Sequence, residues 1–80
     1  MPESSDVEAA VRAFLGEIDR LPDSFDAQTP LYADGAGLDS LETAELSARL
    51  EDDFGTDPYS AGQIPETLGQ IIEFYDRAGQ

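Results

Sequence analysis

From Asp39 to Gly55 the chain carries a start signal, an apolar stripe and a stop signal for a single helix. Asp39 suits the N-cap and Glu42 stands at the reciprocal position three residues on, while Gly55 suits the residue just past the end. Leu46, Leu50 and Phe54 recur at intervals of four and form a stripe that must be buried. The helix therefore ends at about Phe54, and the rest of the 80 residues must cover its stripe.

Two further segments share that period. Ser5 with Glu8 has capping-box spacing, and Val7, Val11, Phe14, Leu15 and Ile18 then fall on one face, which predicts a first helix from roughly Asp6 to Arg20. Thr67 with Gln70 repeats the spacing before Leu68, Ile71, Ile72 and Tyr75, the inner face of a last helix. Gly69 inside that helix costs about 1 kcal/mol relative to alanine and so predicts close packing there. Pro22 follows the first helix, and residues 22–38, with Pro30, Gly35 and Gly37, read as a long loop. Phe25, Leu31, Tyr32 and Leu38 are expected to pin it to the core. Residues 57–62 are expected to hold one short helical turn started by Pro58. The expected fold is all-α, a small bundle of three main helices plus one short helix, in a single domain spanning residues 1–80 with an ordered core from about 5 to 78.

Composition narrows what such a bundle can do. Eighteen acids against four bases give a formal net charge of −14. A surface this negative repels nucleic-acid backbones and steers the molecule toward basic faces of other proteins. An 80-residue chain buries only about 60% of its unfolded surface, and with no cysteine neither a disulfide nor a Cys-based zinc site can supplement the core. There is no basic segment ahead of an apolar run and no 18-residue apolar stretch, so the expectation is a soluble, cytoplasmic monomer without a signal peptide or membrane span.

Catalysis by the chain itself is not expected. Histidine, lysine and cysteine are all missing, so a serine nucleophile lacks its usual base, and thiol and lysine mechanisms are excluded. Asp52, Asp53 and Asp57 lack the alternating spacing and final glutamate of a calcium loop, and no metal site is expected.

The distinctive chemistry lies at the start of the second helix. Ser40 follows the cap, so its hydroxyl is presented to solvent where an attached phosphate would meet free backbone N–H groups and the positive end of the helix dipole. Ser40 reads as an attachment point. At about 100° per residue, Leu41, Glu45, Ala48 and Asp52 stack nearly opposite Leu50, so Leu41 cannot share the core with Leu46 and Phe54. An exposed leucine ringed by Glu42, Glu45 and Asp52 makes an apolar anchor with an acidic rim for a basic partner. Thr43, Ser47 and Ala48 are small positions expected inside the bundle, which leave room for a guest chain or tighten the packing.

The run Leu38-Asp39-Ser40-Leu41-Glu42-Thr43-Ala44-Glu45-Leu46, continued by Leu50-Glu51-Asp52-Asp53-Phe54-Gly55, resembles the Asp-Ser-Leu helix of acyl carrier proteins. The likeness extends to the helix order, the long first loop and the late Ile71-Ile72-Glu73-Phe74 segment, and so covers nearly the whole chain. The resemblance implies a four-helix bundle whose Ser40 receives 4′-phosphopantetheine from coenzyme A through a magnesium-dependent phosphopantetheinyl transferase. It implies that Asp39 helps to hold that enzyme's metal and that the carrier serves further partners, which the helix-face reading docks at Leu41, Glu42, Glu45, Ala48 and Asp52. Those partners are an acyl-loading ligase or transferase and ketosynthase-type or other pathway enzymes. The approach Gly35-Ala36-Gly37-Leu38 is more similar to free-standing carriers of specialised, polyketide-type pathways than to fatty-acid carriers. Two alternatives stay open: an aminoacyl or peptidyl carrier, with which Gly35 and Gly37 agree, and an unmodified acidic module that binds basic proteins through helix II.

Overall fold

Capping and apolar period together place three helices, α1 at Ser4–Glu17, α2 at Ser40–Phe54 and α3 at Leu68–Ala78. The computed structural model describes residues 3–32 and 35–78, with Ala78 by its backbone alone. Among the described residues there is no strand, only an isolated antiparallel bridge between Pro30 and Thr67. The fold is a small all-α bundle in which α1 packs against both α2 and α3.

The core is built by the apolar faces that the period predicts. Val7, Val11, Phe14 and Leu15 of α1, Leu46 and Leu50 of α2, and Leu68, Ile71 and Tyr75 of α3 are buried together, with Phe54 and Ile72 half-buried against them. Each fully buried leucine contributes about 1.5–3 kcal/mol relative to an exposed one. Phe54 also meets the Tyr75 ring edge-on at 5.3 Å between centroids, which ties the end of α2 to α3.

The long loop is bound to this core by Phe25, Leu31 and Leu38, all buried, and by half-buried Tyr32. Ala33 and Asp34 lie outside the described residues. Two glycines permit the path. A β-carbon on Gly35 would lie 1.8 Å from the Pro30 carbonyl oxygen, and Gly37 has a φ of +74°. Gly69 also approaches the loop closely, since its N–H donates to the Ala27 carbonyl at 2.8 Å and an added β-carbon would stand 2.9 Å from that oxygen.

The ends of α1 differ from the sequence expectation. Its N-cap is Glu3, whose N–H reaches the Asp6 carboxylate at 3.4 Å, rather than Ser5 with Glu8. Glu8 is instead taken by Arg12 one turn on, at 2.7 Å. At the other end the helix stops at Glu17, three residues short of Arg20. Ile18 is the C-cap and Asp19 turns left-handed at a φ of 59°; its N–H then meets the Gly16 carbonyl while the Arg20 N–H meets that of Leu15. This is a Schellman closure without its usual glycine, so no stop signal precedes Pro22.

The segment after α2 forms the short turn that the sequence predicts. Pro58 and Tyr59 carbonyls accept from Ala61 and Gly62 N–H groups at 3.2 and 3.1 Å, and Gly62 then turns left-handed, so the expected short helix is a single hydrogen-bonded turn. Of the three small α2 residues, Thr43 and Ser47 are half-buried, but Ala48 is exposed and leaves no space inside the bundle.

Candidate functional site

The start of α2 is a closed capping box. Asp39 Oδ1 accepts the Glu42 N–H at 2.8 Å, and Glu42 Oε1 accepts the Asp39 N–H at 3.1 Å. The Thr43 hydroxyl donates to the Asp39 carbonyl at 2.8 Å. These bonds fix the first turn and leave Ser40 as its first helical residue, exposed, with its Oγ unengaged among the described residues. The hydroxyl thus stands on a rigid base at the positive end of the helix.

Beside Ser40 lies an open groove of about 510 Å³, lined by Tyr32, Leu38, Asp39, Ser40, Thr43 and Ile64. Tyr32 and Leu38 come from the long loop, and Ile64 from the segment before α3, where it is 76% exposed. Three parts of the chain therefore meet at one serine. A phosphate-linked arm fits this arrangement: an accessible hydroxyl, a helix N-terminus behind it, and a partly apolar channel next to it.

The residues expected to dock partners separate into three placements. Glu45, Ala48 and Asp52 are exposed and share a groove of about 340 Å³ between α1 and α2, with Phe14, Glu17, Ile18 and Arg49. Leu41 projects to solvent at 70% exposure and lines neither groove. Glu42 is turned inward: one oxygen belongs to the capping box, the other accepts from Arg20 Nε at 3.1 Å, and the side chain is only 15% exposed. Its charge is largely satisfied within the chain. In the second groove Arg49 bridges Glu17 and, at 3.8 Å, Asp53; the hydrogen bond from Arg49 holds the Glu17 carboxyl below its ordinary value.

Sequence reasoning missed two contributors. The apolar period places Arg20 at the end of the first helix, yet its side chain reaches across to α2. Asp57 enters the sequence reading only as part of a rejected calcium loop and as the start of a turn, but it is fully buried, where its Oδ2 accepts from the Ser47 hydroxyl at 2.6 Å and the Ser60 N–H at 3.2 Å. Burial disfavours the charged form of Asp57, but the bonds from Ser47 and Ser60 outweigh it and hold the carboxyl below its ordinary value. The Asp-Pro dipeptide was the available signal, since an aspartate ahead of a proline is a common way to open a helical turn. Burial also raises the Tyr59 phenol, whose hydroxyl lies 3.5 Å from that of Tyr32.

Among the described residues no three acidic side chains converge to hold a metal ion, and no helix is long and apolar enough to cross a membrane. A family model described as a phosphopantetheine attachment site matches residues 7–61, a span that includes most of α1, the long loop, all of α2 and most of the turn after it. No solved structure matches the chain.

Proposed function

The chain belongs to the phosphopantetheine attachment site family, carrier domains that bear covalently bound 4′-phosphopantetheine, and from that premise we propose that it is an acyl carrier whose point of attachment is Ser40. The observation that carries this reading is the exposed, unengaged hydroxyl on the first residue of α2, held rigid by the Asp39–Glu42 capping box inside the matched span. In the loading reaction the Ser40 oxygen forms a bond to phosphorus, the pyrophosphate bond of coenzyme A breaks, 3′,5′-adenosine bisphosphate leaves, and the serine proton passes to a base of the transferase. The bound group supplies a terminal thiol that holds cargo as a thioester.

The chain's own residues set the base of the arm. The α2 N-terminus favours a phosphodiester, while the exposed Asp39 carboxylate beside it opposes one. The groove of Tyr32, Leu38, Thr43 and Ile64 supports the near end of the arm. A rigid base and a flexible arm present the cargo at high effective concentration to an enzyme docked nearby. Docking falls to Glu45, Ala48 and Asp52 with exposed Leu41 beside them, a surface suited to a basic-faced enzyme. The pathway proposed is a specialised, polyketide-type one. The Pro30 contact and the positive φ account for Gly35 and Gly37 in either type of carrier, so an aminoacyl or peptidyl carrier remains the alternative.

Intact mass after incubation with coenzyme A, magnesium and a broad-specificity phosphopantetheinyl transferase tests the assignment. Wild type is expected to gain one phosphopantetheine and Ser40→Ala none. A gain in Ser40→Ala would move the attachment elsewhere.

A further inference from the structure

Arg20 is the cation nearest in the fold to the start of α2, and its placement is unusual. Positive charge at a helix N-terminus is disfavoured by the dipole, yet the guanidinium reaches this turn from the end of α1. Its backbone is fixed by the Schellman closure, in which the Arg20 N–H meets the Leu15 carbonyl at 2.8 Å after left-handed Asp19. Its side chain donates through Nε to Glu42, the same carboxylate that holds the Asp39 N–H. Its Nη1 covers Gly37, 3.7 Å from where a β-carbon would stand. The guanidinium thus lies along the Gly37–Asp39 approach to Ser40.

Only one of its five N–H donors is used among the described residues, and the side chain is 44% exposed. The other arginines are paired elsewhere: Arg12 with Glu8, Arg49 with Glu17, Arg77 with Glu73. A phosphodiester on Ser40 would join Asp39 and Glu42 as a third anion within one helical turn. A planar guanidinium with free donors is the side chain best suited to meet it, since it matches phosphate geometry with two parallel bonds.

We propose that Arg20 is a positioning residue for the modified serine, exchanging part or all of its ion pair with Glu42 for the phosphodiester on Ser40 and so holding the base of the arm against the start of α2. The inference rests on Ser40 as the attachment point. It also assigns the Asp19–Arg20 turn a role that a plain surface ion pair does not have. A pair that served only to tie the end of α1 to α2 would be lost equally by removing either partner. A phosphate partner would not, because removing Glu42 frees Arg20 for the phosphate.

The test compares unmodified and phosphopantetheinylated forms of wild type, Arg20→Gln, Arg20→Lys and Glu42→Gln. Two quantities are read: the 31P chemical shift of the phosphodiester and the change in melting temperature on modification, each at low and high salt. In Arg20→Gln the 31P resonance is expected to move and to lose its salt dependence, and modification should lower the melting temperature by a few degrees more than in wild type. Glu42→Gln should keep the wild-type resonance position or shift it the opposite way. Equal shifts and equal melting changes in wild type and Arg20→Gln would overturn the proposal, as would a Glu42→Gln protein that reproduces Arg20→Gln. Should Arg20→Gln fail to fold, Arg20→Lys keeps the charge without the fork, and a displaced resonance there supports the proposal while an unmoved one contradicts it. A wild-type protein that takes up no arm would instead refute the assignment of Ser40, and this inference with it.

Discussion

Asp39 and Asp57 do the same local work in opposite surroundings. Each carboxylate accepts a backbone N–H three residues ahead, Glu42 at 2.8 Å for Asp39 and Ser60 at 3.2 Å for Asp57, and each opens a helical turn. Asp39 does so in solvent, beside a serine that must stay accessible. Asp57 does so fully buried, bonded to Ser47 of α2, with its Oδ1 unpartnered among the described residues. The first cap presents a functional group; the second locks the segment after α2 onto the helix. An exposed cap can be replaced at modest cost because water satisfies the groups it leaves, whereas a buried one leaves a hydroxyl and an N–H with nothing to bond.

The comparison breaks most sharply at the buried site. Asp57→Ala is expected to cost about 2–3 kcal/mol, through loss of the cap and stranding of the Ser47 hydroxyl, and to lower the melting temperature by roughly 10 °C or more. A loss no larger than that of an exposed cap would mean that Asp57 is not a buried anchor. At the exposed site Asp39→Ala should cost about 1 kcal/mol, read by denaturant unfolding. Asp39→Asn sharpens the contrast, because asparagine caps equally well. Its stability should be close to that of wild type, while its rate of phosphopantetheine loading should fall if the Asp39 charge serves the transferase's metal. An unchanged loading rate would reduce Asp39 to a cap.

The difference between these two aspartates also marks what the chain discloses before it folds. Asp39 was legible because its partner Glu42 stands three residues away and an apolar period follows. Gly55, the buried faces of all three helices and the tight approach at Gly69 were legible for the same local reasons. Asp57 was not, because its decisive partner Ser47 is ten residues back on another element and nothing in Thr56-Asp57-Pro58 marks the carboxylate as buried. Arg20 was misplaced because Asp19 takes the left-handed cap position that glycine usually signals. Ala48 is expected both inside the bundle and on its docking face, and its exposure agrees with the second, which its place opposite Leu50 already favours. Local spacing thus reveals the helices and the serine, while long-range polar links emerge only from the fold.

Acid should narrow the contrast. The folded Asp57 carboxyl lies below its ordinary value, so its ionised form stabilises the fold above the unfolded aspartate value of about 4, and that contribution is lost as pH falls through the lower folded value. The gap in melting temperature between wild type and Asp57→Asn is therefore expected to close as pH drops below about 4. A gap that widened would reverse the sign assigned to Asp57. The smallest effect concerns a third aspartate that caps nothing: Asp19→Gly should stabilise by about 0.5 kcal/mol, because glycine adopts the left-handed turn without steric cost. A destabilised variant would show that the Asp19 side chain makes a contribution of its own.

The central claim is that the accessible serine of the exposed cap carries the arm. The most direct measurement is fragment-ion mapping of the loaded protein after trypsin, which releases residues 21–49 with Ser24, Ser40 and Ser47 on one peptide. Phosphopantetheine found on Ser40 alone is the predicted result. Its appearance on Ser24 or Ser47, or its absence from this peptide in a folded and loaded protein, would contradict the account.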